Sequence, residues 1–447
     1  MAVTCTETIA PAQAISFGEA TGEGVQREAN SEDSAPAAQE RMPPSMSLAL
    51  VYVPIVLLVL NTEIVVPTAD DYAKRLGASE SFSGLVIALT PFWQGILGVP
   101  LNYAMLRCGI SIKSMIIIMA AGSVAGNVLY ALAGLMQFKC TILISRAMIG
   151  ICQCQLAGPI YIARSVGVKR RTKVMFVFSS LTGVALCGAP LIASLLEIFV
   201  KELRIGDLLL NSDTMPGWFM AVVYFIYMLL IVFCFEDSSR DETSLSPNLL
   251  EEGESCWKPG LWVCLFASFL STTTKTMCVV FFVKLSEQTW GLSISSTGFA
   301  LAGAMALVTA GSFANSAVTT YVEDRRGLLI GCLCAAISAV LTFHFGDSWN
   351  TTSTIIFMLG FLLMQSFFCV VKNYGYALVP KIVPPQWKDR TTTANSVALQ
   401  LGRGLGAQLG AVMSITGFAA SQVLSYFLLA GLVAVFSKEL RQHEKAM

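Results

Sequence analysis

Long apolar runs separated by short polar stretches follow one another along almost the whole chain. A helix that crosses a bilayer needs about 20 largely apolar residues. Twelve runs approach or exceed that length. Their approximate spans are 47–67, 81–104, 112–136, 141–163, 173–199, 217–235, 260–283, 293–320, 327–345, 353–378, 392–416 and 418–436. The pattern predicts an all-α polytopic membrane protein with twelve transmembrane helices, which we call the first to the twelfth spans.

The polar stretches divide these spans into two groups of six. The segment 236–259 is the longest polar interruption between spans, and it follows the sixth. We therefore expect an N-terminal bundle at 46–235 and a C-terminal bundle at 260–437, related by pseudo-symmetry and joined by a cytosolic linker. The polar residues 1–45 are predicted to form a disordered cytosolic tail. A second cytosolic tail is expected at 438–447.

Composition agrees with this prediction and argues against several function classes. Hydrophobic residues make up 55% of the 447 residues and charged residues only 13%, whereas soluble globular chains carry about a quarter charged residues. The net charge of zero gives no electrostatic reason to expect a nucleic-acid partner. Most of the 13 cysteines lie inside apolar runs, where thiols serve as small apolar side chains. We expect a monomer in the lipid bilayer that is not an enzyme and holds no cofactor or metal.

Basic residues are distributed unevenly between the polar connections. Of the 29 Lys and Arg residues, 19 fall in segments on the side of the termini, six on the opposite side and four within spans. The run from Lys169 to Lys173, between the fourth and fifth spans, is the strongest single marker. Because cytosolic connections carry the excess of Lys and Arg, both termini are predicted to be cytosolic.

Five ionisable residues stand out inside the predicted spans. They are Glu63, Arg146, Lys275, Lys372 and Arg403. A charge in the bilayer interior is unfavourable unless it faces the bundle, finds a partner or lines water. We therefore interpret the five as candidate substrate-binding or coupling residues around a shared central space.

Helical spacing adds two polar residues to this candidate site. Gln153 shares a face of the fourth span with Arg146, and Tyr376 shares a face of the tenth span with Lys372. Two structural alternatives stay open: Arg146 would lock helices together, or Lys372 would reach back to the cytosolic interface. Glu63 and Arg146 are expected at similar depth, so a pair between them is geometrically possible.

Cations outnumber the acid in these spans, which favours a small anionic solute. Coupling to protons is a hypothesis in which Glu63 takes up a proton when its pairing with a cation breaks during transport. The sequence thus predicts a secondary active transporter. An anion channel of the same architecture and a non-transporting receptor or scaffold are the alternatives.

Several stretches resemble known membrane proteins. The residues VPTADDYAKRLGAS at 66–79 and Pro216-Gly217-Trp218 before the sixth span resemble the vacuolar SPX-domain proteins of the major facilitator superfamily, which are phosphate transporters. Lysosomal major-facilitator proteins linked to ceroid lipofuscinosis are similar more distantly. The resemblance implies two six-helix bundles that rock about a central cavity, lined by the first, fourth, seventh and tenth spans. It also implies a vacuolar or lysosome-like membrane.

The superfamily's gating motif has counterparts in this chain. Asp324, Arg325 and Gly327 resemble its D-R-x-G part, here between the eighth and ninth spans. The corresponding connection between the second and third spans keeps Arg107 and Gly109 but has no acid where the motif carries one. We therefore expect the first half to close differently at its inner end.

Two departures from the resemblance bear on the substrate. Residues 1–45 are too few for an SPX domain, so inositol-phosphate sensing is not expected. The relatives carry an arginine-rich stretch in the fourth span that is proposed to meet phosphate, and here the corresponding residues read CQCQLAGPIYIARS. Phosphate is therefore not favoured over an organic anion or another small solute.

Overall fold

The computed structural model describes the bundle and leaves its ends and several connections undescribed. The described residues are 42–136, 138–166, 168–200, 203–205, 208–237, 258–318, 322–344, 349–383 and 387–441. Nearly all of the tail predicted at 1–45, most of the linker predicted at 236–259, and residues 442–447 lie outside these ranges.

The described chain is almost entirely helical. Its helices are α1 (Ser45–Glu63), α2 (Ala69–Arg75), α3 (Glu80–Trp93), α4 (Val99–Arg107), α5 (Ile112–Met136), α6 (Cys140–Ile151), α7 (Ala157–Ser165), α8 (Val168–Phe199), α9 (Met215–Cys234), α10 (Pro259–Gln288), α11 (Ile294–Val318), α12 (Asp324–Val340), α13 (Thr351–Ile382), α14 (Lys388–Val412) and α15 (Ile415–Val435). A π-helical turn, Gln94–Gly98, connects α3 to α4, and a 3-10 turn follows at Glu439–Arg441. Strands β1 (Leu203–Ile205) and β2 (Leu208–Leu210) form a short antiparallel hairpin.

These elements make twelve helical passes, which confirms the predicted fold class. The second pass consists of α3, the π turn and α4, and the fourth consists of α6 and α7. By length and composition, nine helical segments of the described chain could each cross a bilayer. The other three passes are the broken fourth, the 17-residue α12 and the polar α14. We call the end of the bundle that carries α2 and the hairpin, opposite the termini, the distal end.

The fourth span differs from the continuous helix predicted at 141–163, because residues 152–156 are not helical. Pro159 explains the break: in a continuous helix its ring would clash with the preceding turn and it would donate no hydrogen bond. In α7 it occupies the third position, where the backbone N–H has no helical partner in any case. The expectation that Gln153 continues one helical face with Arg146 is therefore wrong, since the break separates the two.

Side chains from neighbouring spans stabilise this break. The Asn102 amide donates to the carbonyl oxygen of Gln153 at 3.0 Å, and the Ser123 hydroxyl donates to that of Cys152 at 3.2 Å. Backbone carbonyls that leave a helix inside a membrane need such partners. The interruption is therefore a fixed feature of the N-terminal half, supported by residues of its second and third spans.

The two halves meet along two contacts between helices. In one, α3 and the π turn pack on α14, where Gly84 lies against Ala411 and Gly95 against Leu401. In the other, α8 packs on α11, with Gly298 against Ser194. Small residues let helix backbones approach closely in the membrane. Both contacts extend from the middle of the bundle toward the distal end.

A second set of glycines on α14 faces its own half. Gly402, Gly406 and Gly410 recur every four residues and lie against the backbone carbonyls of Phe269, Thr273 and Met277 on α10. This spacing puts all three on one stripe of the helix. It holds α14 directly on α10, so that side chains on the neighbouring faces of these helices are brought to the same region. These glycines therefore serve helix packing within the C-terminal half.

The packed part of the chain continues slightly past the twelfth span. The Glu439 carboxylate accepts a hydrogen bond from the backbone N–H of Gly260 at 3.0 Å, and Leu440 is buried. An acid at the first turn of α10 satisfies a backbone donor that the helix leaves free. The start of the predicted C-terminal tail thus packs on the seventh span.

Candidate functional site

An ion pair joins the two halves in the middle of the bundle. The Arg403 guanidinium on α14 lies 2.7 Å from the Glu63 carboxylate at the end of α1, and the two side chains are 14% and 13% exposed. The structure thus pairs Glu63 with an arginine of the opposite half, and not with Arg146 as the depth argument allowed. Because the partners belong to different halves, relative motion of the halves changes this contact directly.

Arg146 has a different environment, within its own half. Its side chain is fully buried and donates to the carbonyl oxygens of Val86 at 3.2 Å, Asn61 at 3.0 Å and Thr62 at 3.4 Å. Asn61 and Thr62 belong to the last turn of α1, where carbonyls lack helical partners and carry partial negative charge. These contacts favour the structural alternative for Arg146, in which a guanidinium ties the first and second spans to the fourth.

Two lysines of the C-terminal half are left without a counter-charge. Lys275 on α10 and Lys372 on α13 are partly exposed, and neither makes an ion pair within 4.0 Å among the described residues. The positive charge of Lys372 is repelled by those of Lys275 and Arg403. Lys372 also lies ten residues before the end of α13, about 15 Å along the helix axis. The apolar part of this span already ends at Val379, about 10 Å from Lys372, so the interfacial alternative stays open.

Tyr376 and Gln365 belong to the same side of the C-terminal half. Tyr376 follows Lys372 by one helical turn and lies against Ser396 of α14. The Gln365 amide donates to the backbone carbonyl of Lys275 at 3.2 Å. These contacts connect α13 to both α14 and α10, and they fix the backbone that carries the two lysines.

A group of amide side chains lies beside the ion pair, and sequence reasoning missed it. The Gln155 amide oxygen, in the break of the fourth span, accepts from the Gln94 amide and from the Gln400 amide, each at 3.0 Å. Gln400 belongs to the opposite half and precedes Arg403 by three residues on α14. The predicted residue Gln153 is instead buried behind the break, with neither amide atom hydrogen-bonded. The interruption by Gly158 and Pro159 was the sequence signal that would have drawn attention to Gln155.

The charges of this site add up to an excess of positive charge. Lys275, Lys372 and Arg403 come from the C-terminal half, and Glu63 is the one carboxylate in direct contact with any of them in the described chain. No group of three or more His, Cys, Asp or Glu side chains among the described residues is arranged to hold a metal ion. The arrangement is suited to binding an anion between the halves.

Comparison with known proteins places the chain in a family. The family model of the Major Facilitator Superfamily matches residues 52–407. The chain belongs to the Major Facilitator Superfamily. This superfamily consists of membrane transporters, and the match covers the described passes from α1 into α14.

Relatives within the superfamily differ in how much of their length this chain spans. An SPX domain-containing membrane protein of Arabidopsis thaliana is 24% identical over 442 residues, which cover 87% of this chain and 62% of that protein. The chain thus spans less than two thirds of the length of that relative. An MFS-type transporter of Schizosaccharomyces pombe is 24% identical, with 92% of this chain and 91% of that protein covered.

Solved structures of the superfamily share the fold. A bacterial homologue of the human lysosomal transporter Spinster, in an inward-facing and unoccupied conformation, superposes with a TM-score of 0.67 at 14% identity. That alignment covers 90% of this chain and 98% of the other. A D-xylose–proton symporter also gives a TM-score of 0.67, at 13% identity, with 89% and 97% covered. At this level of identity the likeness concerns the fold alone.

The superfamily's gating motif takes a local form here. Arg325 of the motif donates to the Glu323 carboxylate at 3.0 Å, and Gly327 lies against the Tyr374 ring of α13, where a larger side chain would not fit. Asp324 is the first residue of α12. In the first half, Arg107 donates to the Tyr103 hydroxyl on its own helix at 2.7 Å, and Gly109 adopts a positive φ of 76° that ends the second span. The predicted difference between the two gates remains a prediction.

Proposed function

We propose that this protein is a secondary carrier that moves a small anion through the middle of the bundle by alternating access. One observation carries the proposal: two lysines that form no ion pair with any described residue lie beside an ion pair that joins the halves. The termini face the cytosol and the protein acts as a monomer. The membrane is a vacuolar or lysosome-like one, which the resemblance to SPX domain-containing membrane proteins supports.

The electrostatics of the lysines favour an anionic solute. Lys275 and Lys372 act on each other as like charges and are partly withdrawn from water. Unpaired charges in such an environment are unfavourable, and the free energy falls when an anion binds between them. The site is therefore stabilised by binding, which is what a carrier requires of its occupied state.

Glu63 provides a way to couple the anion to a proton. While Glu63 is ionised it occupies Arg403, and the two halves stay joined at 2.7 Å. When the carboxylate takes up a proton, the attraction is lost and Arg403 becomes available to the anion. Proton and anion are then carried together in the same direction, and the ion pair reforms after both have left.

The test is uptake by reconstituted protein. Proteoliposomes are given labelled inorganic phosphate, malate, lactate or neutral glucose, with and without an inward proton gradient. We expect saturable uptake of at least one anion, stimulated by the gradient, and no uptake of glucose. In Lys275→Gln and Lys372→Gln proteins the anion uptake should fall at least about tenfold. Lys258→Gln, an exposed lysine at the start of the same helix as Lys275, is the matched control and should retain uptake.

The alternatives predict different outcomes of the same experiment. An anion channel would conduct in planar bilayers without saturation and without dependence on the proton gradient. A receptor or scaffold would move no solute. Uptake of glucose but of no anion, or anion uptake that persists in both lysine variants, would reject the proposed carrier.

A further inference from the structure

The central site has two chemically different walls. All three of its cations, Lys275, Lys372 and Arg403, belong to the C-terminal half. The N-terminal half contributes Glu63, which is already paired, while Arg146 is sealed against carbonyl groups. Beside the ion pair, the N-terminal half also contacts the opposite half through Gln155, whose amide oxygen accepts a hydrogen bond from Gln400.

The hydrogen bonds of Gln155 leave its amide nitrogen available. Its amide oxygen already accepts two hydrogen bonds, from Gln94 and Gln400, at 3.0 Å each. Its amide nitrogen carries two donors, and no acceptor for them is present in the described residues. Gln155 is only partly buried, so this nitrogen is accessible to a ligand.

An acceptor without a donor lies next to it. The Gln400 side chain is 4% exposed, and its amide oxygen is buried and makes no hydrogen bond. A buried acceptor in that state is unfavourable until a donor arrives. Gln155 and Gln400 are themselves hydrogen-bonded, so the free donor and the free acceptor belong to adjacent side chains.

A hydroxyl group satisfies both, because it donates one hydrogen bond and accepts others. This pair of amides lies close to Arg403, whose charge interacts with that of Lys372. Gln400 and Arg403 are three residues apart on α14, and side chains at that spacing are neighbours about 5–6 Å apart. A molecule of a few carbon atoms spans that distance.

We propose that the transported anion is an organic anion that carries a hydroxyl group. Its anionic group lies between Lys275 and Lys372, and its hydroxyl donates to Gln400 and accepts from Gln155. This inference rests on the proposed anion carrier and specifies its substrate class. It separates hydroxylated organic anions from inorganic phosphate, whose hydroxyl groups sit on the charged phosphorus centre itself and not on a separate carbon that could lie between the amides.

The test uses pairs of anions that differ by one hydroxyl group. Malate is compared with succinate, and lactate with propionate, in the proteoliposome assay. The natural protein should take up the hydroxylated member of at least one pair about tenfold more efficiently, because the desolvated amides are left unpaired by the other member. Gln155→Leu and Gln400→Leu should bring this ratio close to one by lowering uptake of the hydroxylated anion.

Two controls separate specificity from folding and from charge. Gln422→Leu removes another buried amide of the C-terminal half, which donates to the carbonyl oxygen of Thr274 and is not hydrogen-bonded to Gln155 or Gln400, and it should leave the ratio unchanged. Lys275→Gln should lower both members of a pair together and also leave the ratio unchanged. Because the ratio is measured within one preparation, a smaller folded fraction does not alter it.

Three results would overturn the inference. In the first, the natural protein transports both members of each pair equally well; in the second, the preference survives in both Gln155→Leu and Gln400→Leu. In the third, inorganic phosphate is transported and no hydroxylated organic anion is, which leaves the anion carrier standing and removes this substrate class alone. If no anion is transported, the proposed function fails, and this inference fails with it.

Discussion

Arg146 in the N-terminal half and the lysines of the C-terminal half are all cations within the bundle, but their surroundings differ. Arg146 is fully buried and directs its guanidinium at three carbonyl oxygens. Lys275 and Lys372 are partly exposed and have no ion pair among the described residues. A buried cation that donates to several carbonyl oxygens stabilises the fold, whereas one left without a partner is stabilised only when a ligand arrives. Removing Arg146 should therefore lower the free energy of unfolding, whereas removing one of the lysines should leave it unchanged or raise it.

Arg146→Leu should have the largest effect on stability. The substitution leaves carbonyl oxygens of α1 and α3 without donors in the protein interior, and we expect a loss of about 3–5 kcal/mol in the free energy of unfolding. Thermal unfolding in detergent, followed by tryptophan fluorescence, measures it. Arg146→Lys, which retains the charge but not the planar guanidinium, should have a stability between those of the natural protein and Arg146→Leu. An Arg146→Leu protein as stable as the natural one would refute the structural role.

Gly406→Leu should have the next largest effect, because it acts on the platform that brings Lys275 and Arg403 together. Gly406 lies against the backbone of Thr273, so a side chain there forces α14 away from α10, and we expect a loss of about 3 kcal/mol. Gly303→Leu on α11 is the matched control, since a side chain there meets open space. Equal melting temperatures for the two variants would contradict the close packing of these helices.

Glu63→Gln should have a moderate effect and a specific one. It leaves Arg403 without its counter-charge, and we expect a loss of about 1–2 kcal/mol. Anion uptake should persist while its stimulation by a proton gradient disappears, because the group that would take up the proton is gone. Uptake rates measured at several external pH values test this. Undiminished stimulation by the gradient in this variant would exclude Glu63 as the coupling residue.

Lys372→Gln should have the smallest effect on stability, and in the opposite direction. Removing an unpaired cation relieves its repulsion with Lys275 and Arg403, so the melting temperature should stay unchanged or rise by a few degrees. Uptake of anions should nevertheless fall. A drop in stability comparable to that of Arg146→Leu would show that the lysine has a structural partner.

Much of the fold could be predicted from the apolar runs, including the number of passes and the division into halves. Even the polar α14 is predictable, because its glycines at 402, 406 and 410 recur at helical spacing and pack on α10. The break at 152–156 escaped the prediction, since the run 141–163 is apolar enough throughout and only Gly158-Pro159 marks the interruption. The mean hydropathy of a segment is not changed noticeably by one proline, although the proline removes a backbone hydrogen-bond donor.

The charged side chains inside the bundle could be predicted from the sequence, and how they pair could not. Charges inside apolar runs identify Glu63, Lys275, Lys372 and Arg403 because the bilayer makes them conspicuous. The depth of a residue along its helix does not tell which helix faces meet. The depth argument therefore allowed a pair between Glu63 and Arg146, whereas the structure pairs Glu63 with Arg403. The neutral amides of Gln155 and Gln400 carry no such signal, since uncharged polar residues are common in membrane helices and only their contacts reveal them.

Ligand-induced stabilisation of the natural protein and of a Lys275→Gln/Lys372→Gln double variant tests the central claim most directly. A ligand that binds the folded protein raises its melting temperature, by an amount that grows with the logarithm of the ligand concentration divided by its Kd. With malate added in excess to detergent-solubilised protein, we expect the melting temperature of the natural protein to rise and that of the double variant to stay where it was. An equal rise in both proteins would show that the anion binds elsewhere and would contradict the account.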